Sequence, residues 1–189
     1  ILVGAFGLYT YTNYSTEIVI ETGYGEKKDI YLPDSSHVTL NANSSLRYDK
    51  GVPMEIWLEV EALFEVEKIP STNAKSYVHT DDLVVEVLGT VFNVNSRRAQ
   101  TTVFLEEGIV NLSLNDQDNS TLELSPGDMV TYSSTQDQDY DRQIVQGDHP
   151  TSWQDGIVEL SMTPLGEALV LMEDLYGIKI QVQAGKAIE

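Results

Sequence analysis

The sequence has no cysteine, three histidines, and 11 basic residues against 30 acidic ones. Without cysteine there can be no disulfide, thiolate metal site or cysteine nucleophile, although the compartment stays open because many extracytoplasmic domains lack disulfides. A formal charge of −19 at pH 7 repels phosphate backbones, which argues against nucleic-acid binding. Catalytic signatures are also missing: there is no Gly-x-Ser-x-Gly elbow, phosphate-binding loop or His-Glu-x-x-His helix. With 189 residues the chain suits one domain, or one plus a small attachment. At that size about 70% of the unfolded surface is buried, so no metal or covalent staple is needed.

Long apolar runs are absent as well. The opening run Ile1 to Leu8 is far shorter than the roughly 20 residues of a spanning helix, and it lacks a basic region and a small-residue cleavage site. Tyr9, Tyr11 and Tyr14 follow it, as in the aromatic belt at a membrane interface. Residues 1–16 therefore read as the outer end of a transmembrane helix with its juxtamembrane stub, a buried first strand being the other reading.

Acid is what the sequence has in excess. From Ala99 to Ile178 there are 15 Asp or Glu and a single base, Arg142. A solubilising surface explains this, and cation binding or a basic partner would use it. From 17 to 132 short β-like runs alternate with turn residues, punctuated by Gly89, Gly108 and Gly127. Between Met54 and Glu67 every even position is apolar and five of the seven odd ones are Glu. That period of two predicts a strand or hairpin with one oily and one acidic face. Units recurring at about 20 residues suit a sandwich or a solenoid-like coil of strands. Residues 133–152 are polar and read as a linker. After it, Ile157 to Leu160 and Ile178 to Val182 read as strands around a helix over 164–175, capped by Thr163, opened by Pro164 and stopped by Gly177. This β-α-β segment occupies 153–189, so the expected class is mainly β with a small β-α-β attachment.

Candidate chemistry is sparse. His37, His79 and His149 are scattered, and His79 beside Asp81 and Asp82 reads as an exposed strand end rather than a relay. Asp137, Asp139 and Asp141 have the one-three-five spacing of a calcium loop with Asp148 at position twelve, but Arg142 stands where the loop needs Gly and opposes the cation. Asp116, Asp118 and Ser120 are a weaker version. No metal and no cofactor is expected.

Leu32-Pro33-Asp34-Ser35-Ser36-His37-Val38-Thr39-Leu40-Asn41-Ala42 is similar to the Leu-Pro-Asp-Gly-Ser-x-Val-x-Leu-Asn-Ala signature of the FecR family of anti-sigma factors, which the wording of the other strands also resembles. Glu55 to Val66 resembles its central strand pair, Leu88-Gly89-Thr90-Val91-Phe92-Asn93-Val94 its Leu-Gly-Thr-x-Phe-Asn-Val motif, and Leu105 to Val110 and Leu124 to Gly127 its later strand starts. Trp153, Gly156 and the segment ending at Tyr176-Gly177 resemble the C-terminal signalling subdomain of Bacteroidetes-type members. Ser35 and Val60 stand where the family usually has Gly, and Met54 where it has Arg, which leaves the local turn geometry open.

The resemblance implies an inner-membrane, single-pass protein with this region in the periplasm. It would relay the state of a TonB-dependent outer-membrane transporter, through that transporter's signalling domain, to an ECF sigma factor bound by a cytoplasmic part. Leu165, Leu169, Met172, Ile178, Ile180 and Val182 are the candidate partner-binding residues. The resemblance also places at Gly89-Thr90 a bond that some members cut themselves; a tight turn followed by a strand is the simpler reading, and the chain is expected not to be an enzyme. The alternatives are a structural or carbohydrate-binding β-module, suggested by Trp57 on a polar strand face, and a hydrolase using paired acids, which no motif supports.

Overall fold

The computed structural model describes residues 17–68, 74–115, 120–135, 139–145, 150–160 and 163–182. The predicted membrane stub therefore lies outside the described residues. The strands are β1 (Glu17–Glu21), β2 (Lys28–Tyr31), β3 (His37–Leu40), β4 (Ser45–Asp49), β5 (Val52–Glu59), β6 (Glu61–Glu65), β7 (Ser76–His79), β8 (Leu83–Val87), β9 (Val91–Asn95), β10 (Thr101–Glu107), β11 (Val110–Leu114), β12 (Thr121–Leu124), β13 (Asp128–Tyr132) and β14 (Asp141–Ile144). A short 3-10 turn, Ser152–Asp155, and one helix, α1 (Leu165–Tyr176), follow.

The strands form two seven-stranded sheets. The first runs β1-β4-β5-β7-β8-β11-β12 and the second β14-β13-β10-β9-β6-β3-β2. Each sheet keeps its strands in sequence order, so the chain advances sideways while alternating between the layers. Of the two expected arrangements, sandwich and solenoid-like coil, the structure is the two-layer sandwich. Described ladders are antiparallel except β5 with β7. The inner faces of both sheets meet in one core, where Leu40, Leu46, Ile56, Phe64, Val85, Phe92, Leu105 and Leu112 are essentially inaccessible. Phe64 and Phe92 stack with centroids 5.0 Å apart. Each such side chain contributes roughly 1.5–3 kcal/mol of burial, which makes this layer the stable body of the molecule.

Six of the corners where the chain changes sheet share one backbone feature. Gly25, Asn43, Val60, Gly89, Gly108 and Gly127 all have positive φ, and they lie between β1 and β2, β3 and β4, β5 and β6, β8 and β9, β10 and β11, and β12 and β13. A left-handed residue reverses the local bend and lets a strand leave one layer for the other within a residue or two, which is why Gly predominates there. Gly89, Gly108 and Gly127 are the punctuation seen in the sequence, and their even spacing marks successive crossings between the two sheets. Successive corners touch: a Cβ on Gly108 would sit 2.9 Å from the Gly89 carbonyl oxygen.

Three expectations change. The run Met54 to Glu67 is neither one strand nor a hairpin. It is two strands in different sheets, β5 and β6, folded at Val60. The stretch 133–152, read as a linker, holds β14, which pairs with β13 from Asp128↔Ile144 to Thr131↔Asp141. Arg142 of β14 donates to the Asp128 carboxylate at 2.5 and 3.3 Å, while Asp128 also accepts from the Ser125 N–H at 2.7 Å. The β-α-β segment keeps its helix but not its strands: 157–160 and 178–182 join no ladder among the described residues. The helix begins at Leu165 because Pro164 is extended (ψ 140°) and acts as the N-cap residue, and Gly177 (φ 65°) ends it.

Candidate partner-binding surface

The outer face of the second sheet carries a polar row in cross-strand register: Glu61, Asn95, Thr102, Thr131 and Asp141. Helix α1 and residues 150–160 lie over the Glu61 end of it. A cleft of about 260 Å³ is lined by Asn41, Glu61 and Asn95 below and Trp153, Leu171 and Leu175 above. A second, of about 200 Å³, runs along Arg98 and Thr102 under Val170 and Asp174. The helix is fastened at its C-terminal end. Arg98 grips Asp174 with two hydrogen bonds of 2.8 Å, the Gly25 N–H donates to the Leu175 carbonyl at 2.8 Å, and Leu175 is its buried side chain. Lys27 adds hydrogen bonds to the Trp153 and Gln154 carbonyls.

Glu61 is the residue that the sequence pattern misplaces. It belongs to the alternating acidic face, yet it is 5% exposed because α1 covers this sheet. Burial pushes its carboxyl above the usual range, opposed by Arg97 at 3.6 Å and by hydrogen bonds from Asn41 and Asn93.

At 100° per residue, Leu171, Asp174 and Leu175 point toward the sheet, while Leu165, Leu169 and Met172 form a neighbouring apolar stripe. Leu165 is 68% exposed and Leu169 and Met172 are half-buried. Beyond the helix Ile178 and Val182 are exposed, and the half-buried Ile180 donates its N–H to Glu173 Oε1 at 2.8 Å. Of the six candidate partner residues, Leu165, Ile178 and Val182 are exposed, and Leu169, Met172 and Ile180 are half-buried.

The other candidates are dispersed. Trp57, on the outer face of the first sheet, has Arg47 at 4.7 Å from its centroid and His79 stacked at 5.0 Å. Because β4 and β7 flank β5 on opposite sides, both faces of the indole are occupied, which removes the flat platform a sugar would stack on. His79 bonds Glu55 and not its sequence neighbours; Asp82 instead accepts from Thr101 and Ser134. His37 bridges Asp29 and Glu65, and His149 lies outside the described residues. Asp137, Asp148, Asp116 and Asp118 also lie outside them. Asp139 and Asp141 are exposed, with Asp141 built into β14. Among the described residues no group of three His, Asp or Glu is placed to hold a metal ion.

Gly89 (φ 68°) makes a corner whose Cβ would collide with Lys68 at 2.6 Å. Thr90 is buried; its hydroxyl donates to the Ile109 carbonyl at 3.2 Å and its backbone pairs with Val66. His79 pairs with Val84, five residues before Gly89, hence about 16 Å away along the strand.

Residues 18–111 match the family profile described as FecR protein. The β-domain belongs to the FecR family. Two crystal structures, at 2.50 and 1.65 Å, of a candidate anti-sigma factor from Parabacteroides distasonis ATCC 8503 share the fold with a TM-score of 0.74 and 25% identity. Each comparison covers 85% of this chain and 75% of that one. No curated protein matches the chain. The FecR match spans β1 to the start of β11, so α1 and its unladdered flanks lie outside the matched stretch.

Proposed function

We propose that this FecR-family chain is the periplasmic signal-receiving region of a membrane-anchored anti-sigma factor, a non-enzymatic regulator. Its input is the signalling domain of a TonB-dependent outer-membrane transporter, and its output is the hold on an ECF sigma factor through a cytoplasmic part. The family match and the anti-sigma neighbour support the regulatory role. The observation that carries the site is the two-faced helix: one side of α1 is docked, while exposed Leu165 and half-buried Leu169 and Met172 form a second apolar stripe that precedes the unladdered strand-like segment 178–182. A segment that joins no described ladder and is held at Ile180 by Glu173, next to an apolar stripe, suits strand addition, in which main-chain hydrogen bonds give affinity and alternate side chains give specificity.

The test is a binding assay with the neighbouring transporter's signalling domain. Ile180→Pro, which removes a main-chain donor, and the pair Leu169→Glu with Met172→Glu are each expected to weaken binding by about tenfold or more. The thermal midpoint of the β-domain should not move. Undiminished binding by both variants overturns the assignment of this surface.

A further inference from the structure

The face beneath α1 is unlike the one inside the sandwich. Between the sheets the register rows are mainly apolar, with Ser76 and Thr101 among the buried exceptions; under α1 the row is Glu61, Asn95 and Thr102, flanked by Asn41, Arg97 and Arg98. These groups satisfy one another in part, with Asn93 Oδ1 and Arg97 Nε buried without a hydrogen-bond partner among the described residues. Asn41 and Asn93 donate to Glu61, and Arg97 donates to the Ala42 carbonyl at 2.9 Å. Such a surface loses little when water reaches it, and a buried carboxylate regains hydration. The cover fits loosely. Leu175 is the one fully buried side chain of the helix, and clefts of about 260, 170 and 200 Å³ run along its edges. The Trp153 indole N–H is buried there without an acceptor among the described residues, so this seam is not closed to the standard of the core. The loop presenting Arg98 is itself unusual: Arg98 and Ala99 are consecutive left-handed residues, with φ of 60° and 55°. Non-glycine residues hold that geometry when surrounding contacts enforce it, and the Asp174 clamp is one such contact.

We infer that α1 is a releasable cover on the second sheet, fastened at its C-terminal end by Asp174–Arg98 and the Leu175 carbonyl, and able to lift while the two-sheet core stays folded. Its purpose rests on the partner reading proposed above: the helix that displays the partner stripe is also the element the β-domain holds, so occupancy of one side can be felt on the other. Elements with few buried apolar contacts open below the global unfolding free energy, and these openings report at single amides.

The Gly25 N–H is such a reporter, since its acceptor belongs to α1. Native-state hydrogen exchange by NMR on the whole 189-residue chain, with no partner present, measures it against amides of the β6–β9 ladder. Gly25 should exchange at least a hundredfold faster than the ladder. Asp174→Asn should speed Gly25 further, by about three- to fivefold for a partly exposed ion pair, and leave the ladder unchanged. If Gly25 exchanges together with the ladder, or if the substitution accelerates both alike or neither, α1 is an integral part of the fold and the inference fails. Because the partner is absent, that failure leaves the partner reading standing. Loss of the partner reading, conversely, shows as absent binding with fast, separate Gly25 exchange.

Discussion

Val60 is the oddity among the corners, and it yields a sign-reversed prediction. Its φ is 79°, and the other described corners are Gly or Asn. A Cβ in the left-handed region costs roughly 1–2 kcal/mol, with a β-branched side chain toward the upper end. The position is held by Ser96, whose N–H donates to the Val60 carbonyl at 2.7 Å and whose hydroxyl accepts from the Val60 N–H at 3.0 Å. Val60→Gly recovers about 2 kcal/mol of strain, but loses about 1 kcal/mol of half-burial and under 1 kcal/mol to unfolded-chain freedom. The variant should therefore stay within about 0.5 kcal/mol of wild type. Val60→Ala gives up the burial and keeps much of the strain, a loss of about 1 kcal/mol. In an ordinary strand Ala exceeds Gly by roughly 0.5–1 kcal/mol; here Gly should exceed Ala by about 1 kcal/mol, or 2–4 °C in Tm. Urea denaturation of both variants, with Val84→Ala and Val84→Gly in β8 as the ordinary pair, measures the inversion. Ala at 60 equal to or better than Gly would refute the strained corner.

The remaining predictions concern titration and the Gly89–Thr90 bond. Hydrogen bonding from Arg142, helped by the Ser125 N–H, holds the Asp128 carboxyl below its usual range, so its contribution is present above the ordinary carboxylate pKa and fades as pH falls through the folded value. Asp128→Ala should cost about 1–2 kcal/mol at neutral pH and flatten the acid limb of a pH-stability curve; a parallel curve refutes this. Glu61 has the opposite sign: its raised pKa means stability rises as pH falls from the folded value toward the ordinary Glu range. Glu61→Gln should remove that slope, and a slope unchanged by the substitution would show that the carboxyl does not titrate there. Wild type and Thr90→Ala should both remain whole by intact mass after prolonged incubation. Two pieces from wild type alone would establish self-cleavage.

What the sequence reveals follows from which forces are local. Apolar alternation records which face of a strand meets the core, so the β-class and the core residues from Val38 to Val130 could be read directly. The alternation runs unbroken through Val60, however, because even-numbered residues keep facing the core after the chain changes sheet. Periodicity is therefore blind to the corner, and the mark left there is the Gly that the family carries and this chain lacks. β14 was hidden for the opposite reason: Asp141-Arg142-Gln143-Ile144 is exposed throughout and has no pattern. It is held by main-chain pairing with β13 and by the Arg142–Asp128 contact, a tertiary interaction that composition does not announce.

The flanks of α1 carry the converse lesson. Ile178, Ile180 and Val182 alternate like a strand, yet no ladder forms among the described residues, since alternation encodes a capacity to pair and a ladder needs a neighbour. Glu61 shows the same dependence on a distant element. Its neighbours in sequence predict a solvated acid, and it is buried because a helix more than a hundred positions later crosses above it. The candidate surface thus has a readable half, the apolar helix positions, and an unreadable half, the polar row beneath. The boundary between them is the docked face of α1, where Arg98 and Asp174 fasten the helix to the sheet and no local pattern in the sequence announces the contact.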